Sequence, residues 1–369
     1  MGNITGPERL KSEVMGKGLC AGCGACVGLC PYIYAAGEKI AMVHSCGLEE
    51  GNCHMVCPRL DLNPAGMDIR TFGKHRSDHI IGENRGIYFA RAKDPNTSKA
   101  GQYGGVVSAL AIFLLETKKV EAAVLAGSGS EYTEPVLAKT SGEVLQCAGS
   151  KYSACPSLIK LSEGLRSGLK KLAVTGRPCQ IAALRKTEQL CVNKSLRCIS
   201  ADNVEFFAIG LFCFWSLTPE FCAAIREKSA GEAVTRYDIP PNQGLIATLE
   251  GGSKVEIPLE EARRYIRGAC LDCFDPTAEY ADLSVGSTEH DTDWNTLIVR
   301  SDRGESLIRE ALDAGAIEIK PYPPEILSNL YNAVRNKKSR VLENLKPTGY
   351  LSLSDEYIAG FKETKKHGA

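Results

Sequence analysis

The chain has 369 residues, of which 44% are hydrophobic and 24% charged, ordinary values for a globular protein with room for two or three structural units. Forty-four Lys and Arg balance forty-four Asp and Glu, which removes the electrostatic case for nucleic acid or an anionic membrane as the main partner. Sixteen cysteines in so long a chain do not read as a small disulfide scaffold, and no run of about 18 apolar residues offers a membrane span.

The opening residues Met1-Gly2-Asn3-Ile4-Thr5-Gly6 lack the apolar run of a secretory signal, so the cysteines are expected to be metal ligands or redox groups in a reducing cytoplasm. Seven of them crowd residues 18–58. Cys20-x2-Cys23-x2-Cys26-x3-Cys30-Pro31 is the bacterial ferredoxin run. Its two-residue gaps let three successive thiolates wrap one 4Fe-4S cubane, while Pro31 stiffens Cys30 and turns it toward a second. Gly22, Gly24 and Gly28 let the backbone approach closely. A zinc site would space its cysteine pairs further apart. Cys46-x6-Cys53-x3-Cys57-Pro58 then supplies the closing half of a matching run, short of one cysteine. By the ferredoxin crossover, Cys57 joins Cys20, Cys23 and Cys26, and a second set holds Cys30, Cys46 and Cys53. The fourth ligand of that second set would come from His44, Glu49 or Glu50, or the site would carry a three-iron cluster or an open iron. The alternative is a single cluster and three spare cysteines.

Residues 61–86, with Asn63-Pro64-Ala65-Gly66 and Gly82-Glu83-Asn84-Arg85-Gly86, read as a connector. A mixed α/β pattern follows. Helices are expected at Val106–Lys118, Pro156–Gly168 and Gln180–Lys186, with buried strands at Ala122–Ala126, Leu172–Thr175 and Val204–Phe212. Leu245–Leu249 and Lys254–Ile257 alternate like antiparallel strands. Asp282–Val285 and Thr296–Arg300 read as strands, Glu305–Ala314 and Pro324–Leu345 as helices. The expected organisation is a ferredoxin-like 4Fe-4S head at 1–60, a connector at 61–86, a mixed α/β body at 87–345 and a tail at 346–369.

Four later cysteines sit in loops: Cys179 within Gly176-Arg177-Pro178-Cys179-Gln180, Cys213 closing Gly210–Cys213, and Cys270-Leu271-Asp272-Cys273. Cys179 follows a strand and opens a helix, where the dipole favours a thiolate. Spacing alone leaves a zinc site, a redox disulfide with two thiols, and another 4Fe-4S cluster all open. Cys147, Cys155, Cys191, Cys198 and Cys222 have no metal spacing and read as small buried hydrophobes. Trp215 and Trp294 read as core or interface residues.

Read in order, several short segments are similar to those of one family. They are Gly104-Gly105-Val106-Val107-Ser108-Ala109-Leu110, Lys151-Tyr152-Ser153, the 176–180 loop, Gly210–Cys213, Arg267–Cys273, Ala281–Ser287 and Trp294–Arg300. With the ferredoxin run ahead of them, the chain resembles the beta subunit of coenzyme F420 hydrogenase/dehydrogenase, a family that includes deazaflavin-linked formate dehydrogenase beta subunits. The resemblance implies a noncovalent FAD with a 4Fe-4S cluster beside it on Cys179, Cys213, Cys270 and Cys273. It implies FAD contacts from Gly104, Gly105, Ser108, Lys151, Tyr152, Gly176, Pro178 and Gln180. The chain departs from the family at Gly286-Ser287, where Gly-Asp is common. From the residues themselves, Gly104-Gly105 ahead of a helix suits either a phosphate turn or plain turn chemistry, Lys151 suits a phosphate or the edge of a reduced flavin, and Tyr152 suits the core. No GxGxxG follows a strand, so a Rossmann site is not expected.

The implied activity is an electron-transfer subunit of an oxidoreductase complex with two or three 4Fe-4S clusters and FAD. Its two-electron donor would be F420 or NAD(P)H, or ferredoxin would take that place. Its partner would be a catalytic or electron-accepting subunit, as in a hydrogenase, formate dehydrogenase or heterodisulfide-reductase-like complex. The competing readings are a self-contained reductase of an organic substrate and a zinc or redox-sensing protein without catalysis.

Overall fold

The computed structural model describes residues 6–129, 133–196, 199, 202–240, 243–288, 290–344 and 355–367. Near the start, β1 (Ile33–Ala36) and β2 (Lys39–Met42) form an antiparallel hairpin inside the cysteine-rich head. The body is built on an eight-stranded sheet of β3 (Gly86–Ala92), β4 (Ala122–Ser128), β5 (Thr133–Ala138), β6 (Lys171–Gly176), β7 (Glu205–Leu211), β11 (Leu283–Ser287), β12 (Asn295–Val299) and β13 (Ile317–Pro321). Their order is β13-β3-β12-β11-β7-β6-β4-β5. The four middle strands β11, β7, β6 and β4 run parallel, and the remaining pairings are antiparallel.

Side chains of the middle strands alternate between two cores, as the period of two in a strand requires. Leu172 and Val174 of β6 face one hydrophobic cluster and Ala173 the other. The second cluster is filled by the helices Val106–Glu116 and Asp302–Asp313. The first is filled by the helices Leu158–Arg166 and Pro178–Val192 and by the head, whose Leu10, Val14, Ile33 and Val56 belong to the same cluster. Gly24 of the head, at φ +85°, lies so close to the body that a Cβ would meet the Pro156 carbonyl at 2.4 Å.

β8 (Val234–Asp238), β9 (Leu245–Leu249) and β10 (Lys254–Ile257) form a separate antiparallel sheet backed by the helix Pro219–Lys228. The segment expected as a connector contains the helix Pro64–Phe72, capped by the Asn63 side chain, and a buried Arg76. Arg76 pairs with Asp68 and Glu279, and Lys338 pairs with Glu279, so the connector is tied to the body by buried charges. In the segment expected as a tail, 346–354 lies outside the described residues. Asp355–His367 is a helix whose Tyr357 and Phe361 are buried against Ile80, Ile81 and Phe274. No helix among the described residues is long and apolar enough to cross a membrane.

Candidate functional site

The register of the parallel strands assembles the four body cysteines. Gly176 at the end of β6 pairs with Gly210 near the end of β7. Cys179 and Cys213 each follow three residues later, so adjacent strand ends deliver both to one place. Cys179 stands in the first turn of the helix Pro178–Val192. Cys270 and Cys273 come from the turn around Gly268–Leu271, where the Cys273 amide donates to the Cys270 carbonyl at 3.4 Å. The Ser216 amide donates to Cys270 Sγ at 3.3 Å.

Burial is the first cause that pushes the Cys179 and Cys213 thiols up, and repulsion from the neighbouring cysteines adds to it. Cys179 feels Cys273 and Cys270; Cys213, pushed up to about 12, feels Cys270 and Cys179. Arg177 opposes the rise at both, and Lys337 opposes it at Cys213. Thiols so hard to ionise alone suit a site where a metal removes the proton. Among the described residues no three His, Cys, Asp or Glu side chains close on a single ion, the geometry a zinc site would need.

In the head, Cys20, Cys23, Cys26 and Cys57 line one cavity together with Arg59. Cys23 and Cys26 are raised well above the ordinary thiol range, first by burial; Cys179, Cys57 and Cys20 then add to it at Cys23, and Cys23, Cys57 and Cys20 at Cys26. Cys53, pushed up to about 11 by burial first, feels Cys30 and Cys46. The sequence grouping therefore has its counterpart in space. Of the candidate fourth ligands, His44 is exposed and packs on Tyr32 at 5.2 Å, and Glu49 and Glu50 are exposed as well.

The three groups lie in series within electrostatic reach of one another. Cys23 of the first head group interacts with Cys179 of the body, and Cys26 with Cys53 of the second head group. Cys23, Cys26 and Cys57 are buried, whereas Cys30 and Cys46 reach partway to the surface. The four body cysteines beside the cleft are half-buried as well, so the most enclosed sulfurs lie in the middle of the series.

Against the body group opens a cleft of about 1020 Å³, at the upper end of the range for small-molecule and cofactor sites. It lies outside the carboxyl ends of the parallel strands, lined there by Leu125, Thr175, Leu211 and Val285, and it includes Cys213 and Cys270. Of the residues expected at FAD, Gly105, Ser108, Lys151, Tyr152 and Gln180 line it. Gly104, Gly176 and Pro178 are not among the lining residues. Gly104 backs onto β3, where a Cβ would meet the Ala90 carbonyl at 2.8 Å. Gly105, at φ +69°, would press a Cβ to 2.6 Å from the Thr97 carbonyl, so both glycines serve the close approach of this turn. Lys151 turns its ammonium to the carbonyls of Cys147, Ala148 and Gly149 at 2.7, 2.9 and 3.0 Å, which engages all three donors and leaves it a charge to offer the cleft. Gln180 accepts from the Arg177 amide at 2.8 Å and donates to the Cys155 carbonyl at 2.9 Å, bracing the loop that carries Cys179.

Polar atoms without partners point to a ligand in this cleft. Gln102 Oε1, Thr175 Oγ1 and one terminal nitrogen of Arg177 are buried, unbonded and belong to its lining residues. Sequence reasoning missed Gln102, Thr175 and Arg177 as site residues. It also missed Asn329, Asn336, Lys337 and Arg340, one polar face of the helix Pro324–Asn344 that closes the far side. Lys337, an almost fully buried lysine, donates to the Cys213 carbonyl at 2.8 Å. Cys147 and Cys155 line the cleft as well, Trp215 stacks on Tyr152 at 6.0 Å, and Trp294 carries Arg91 and Lys320 over its ring. Cys198 lies outside the described residues.

Two family models match the body: coenzyme F420 hydrogenase/dehydrogenase beta subunit N-term over residues 87–161, and its C terminus over 169–325. The coenzyme F420 hydrogenase subunit beta of Methanothermobacter thermautotrophicus is 32% identical over 250 residues, covering 66% of this chain and 86% of that one. The chain is 30% identical to the coenzyme F420-dependent sulfite reductase of Methanocaldococcus jannaschii over 322 residues, which is 84% of this chain and 47% of that protein. Among solved structures, a chain of the F420-reducing [NiFe] hydrogenase complex of Methanosarcina barkeri superposes with a TM-score of 0.65 at 28% identity, over 73% of this chain and 95% of that one.

Proposed function

The chain belongs to the coenzyme F420 hydrogenase/dehydrogenase beta-subunit family of oxidoreductases, and on that premise we propose that it passes electrons between a hydride carrier and a partner redox subunit through FAD and two or three 4Fe-4S clusters. The single observation that carries this reading is the serial arrangement of three cysteine groups, leading from a cofactor-sized cleft to the partly exposed Cys30 and Cys46. In this reading residues 1–60 hold two clusters, 61–86 join head to body, and 87–345 hold FAD and the third cluster.

The donor sets suit these groups. Cys20, Cys23, Cys26 and Cys57 would hold one cubane, and Cys179, Cys213, Cys270 and Cys273 another. Cys30, Cys46 and Cys53 would hold the outermost. The unbonded atoms of Gln102, Thr175 and Arg177 suit the polar edge of a flavin, with Gly105, Ser108 and Tyr152 around it. FAD supplies the conversion between a two-electron hydride and the one-electron traffic of iron–sulfur clusters. The residues of the chain do the rest. Asn295 accepts from the Val106 amide at 3.3 Å and donates to the carbonyls of Gln102 and Gly286, holding three walls of the cleft in place. Ser216 steadies the Cys270 sulfur, and Arg177 and Lys337 set positive charge beside the body thiols.

The relatives' names favour F420 over NAD(P)H or ferredoxin as the carrier. The match to less than half of the sulfite reductase favours an acceptor on a separate polypeptide or domain. Anaerobic addition of reduced F420, NADPH and reduced ferredoxin in turn to purified protein tests this. Reduced F420 should bleach the flavin within the mixing time of a turnover assay. A colourless protein, or a flavin that none of the three reduces, would overturn the reading.

A further inference from the structure

Two arginines cross between the head and body groups in opposite directions. Arg59, two residues after Cys57, reaches into the body and donates to the carbonyls of Ala269 and Asp272, the latter at 3.0 Å. Those two carbonyls belong to the peptide bonds that lead into Cys270 and Cys273. Arg267, three residues before Cys270, reaches into the head, donating to the Cys20 carbonyl at 3.4 Å and pairing with Glu38.

Their charges are balanced differently. Glu38 is 3% exposed and neutralises Arg267 at close range. Arg59 has no carboxylate within ion-pair distance among the described residues, whereas the Nε of both arginines is buried without a partner. Burial opposes the charge of Arg59, and Cys273, Cys179 and Cys270 of the body and Cys57 of the head favour it. A half-buried cation with its Nε enclosed, two carbonyl partners and no counter-ion is costly unless something anionic sits beside it. Thiolate-ligated clusters on both sides meet that need.

We propose that Arg59 and Arg267 form a reciprocal clamp that fixes the Cys20/Cys23/Cys26/Cys57 group against the Cys179/Cys213/Cys270/Cys273 group. Within it, the unbalanced charge of Arg59 is the shared counter-ion that raises the reduction potentials of both clusters. The proposal rests on the reading that both groups hold clusters. Arg59 is a positioning residue with an electrostatic role, and the fork of its guanidinium, which lysine lacks, supplies the positioning.

EPR-monitored redox titration of the anaerobically purified full chain separates these roles. In Arg59→Gln, the clusters of the two clamped groups should each become about tenfold harder to reduce, which is about 59 mV for one electron. The cluster on Cys30, Cys46 and Cys53 should not move. Arg59→Lys keeps the charge and should leave both potentials near wild type, while slowing electron passage between the two groups. Glu38→Gln unbalances Arg267 and should move the Cys20-containing cluster the opposite way, to higher potential, and this variant carries the test if Arg59→Gln does not assemble. Unshifted potentials in Arg59→Gln, an equal shift in Arg59→Lys, or no positive shift in Glu38→Gln would overturn the clamp alone. Wild-type protein without iron–sulfur signals would overturn the cluster reading and the clamp with it.

Discussion

The head gathers its seven cysteines from residues 20–57, in two short runs at 20–30 and 46–57, whereas the body gathers four from residues 179–273. In the head, short gaps and tight turns set the sulfur positions locally. In the body, neither Cys179 nor Cys213 is near Cys270 in the chain, and the register of β6 against β7 brings them together. A local site should tolerate damage elsewhere. A site made by a sheet depends on the same strand ends that line the cleft beside it. Yet the head is not free-standing, because Leu10, Val14 and Ile33 pack in one cluster with Leu158, Val174 and Ile181. The two regions differ in how their sites are specified and are alike in what holds them up.

The largest effect expected is from Cys179→Ser. It should cost the protein about four irons and nearly all electron flow to an acceptor, while the head's EPR signals persist and the flavin still accepts hydride. Full iron content with normal flow would break the assignment of the four body cysteines to one site.

Leu10→Ala probes the shared core. Leu10 is 2% exposed, and its truncation should cost about 2–5 kcal/mol. Flavin release and bleaching of the head signals should then occur in one thermal transition at lower temperature. Two separated transitions would show that head and body fold independently.

A smaller loss, about 1–3 kcal/mol, is expected from Asn295→Ala, which strands the Val106 amide and the carbonyls of Gln102 and Gly286. Flavin affinity should fall with iron content unchanged, measured by equilibrium dialysis against free FAD. Loss of iron with the flavin would mean that the cleft and the body cysteines cannot be separated.

The smallest effect appears only in acid. Although burial opposes its charge, Lys338 and then Arg76 hold the Glu279 carboxyl down at about 2. A depressed folded value means that its stabilisation is complete above the unfolded value of about 4.3 and is lost as pH falls through about 2. Chemical denaturation between pH 5 and 2 should therefore show a loss of stability that Glu279→Gln, already destabilised at neutral pH, does not show.

The head was legible because its information is local. The spacing of Cys20, Cys23, Cys26 and Cys30 needs no tertiary context, and the crossover that joins Cys57 to the first three follows from the ferredoxin pattern. The strands Leu245–Leu249 and Lys254–Ile257 and the helix from Val106 were equally legible, since an apolar period announces each. β5 was not: it is an edge strand containing Pro135, and an edge needs no strong alternating face. β13 was hidden likewise, an edge strand ending at Pro321. The polar wall of the cleft was the least legible part. Thr175 and Arg177 look like ordinary strand-end residues until the fold buries them.

The central claim, that three cluster sites lie in series beside one flavin, is tested most directly by iron, sulfide and flavin analysis of anaerobically purified protein, with EPR of the reduced form. The account predicts about eight to twelve irons per chain, FAD in equal proportion to protein, and spectra broadened by interaction between neighbouring clusters. Four irons or fewer, or full iron with signals of magnetically isolated clusters, would contradict it.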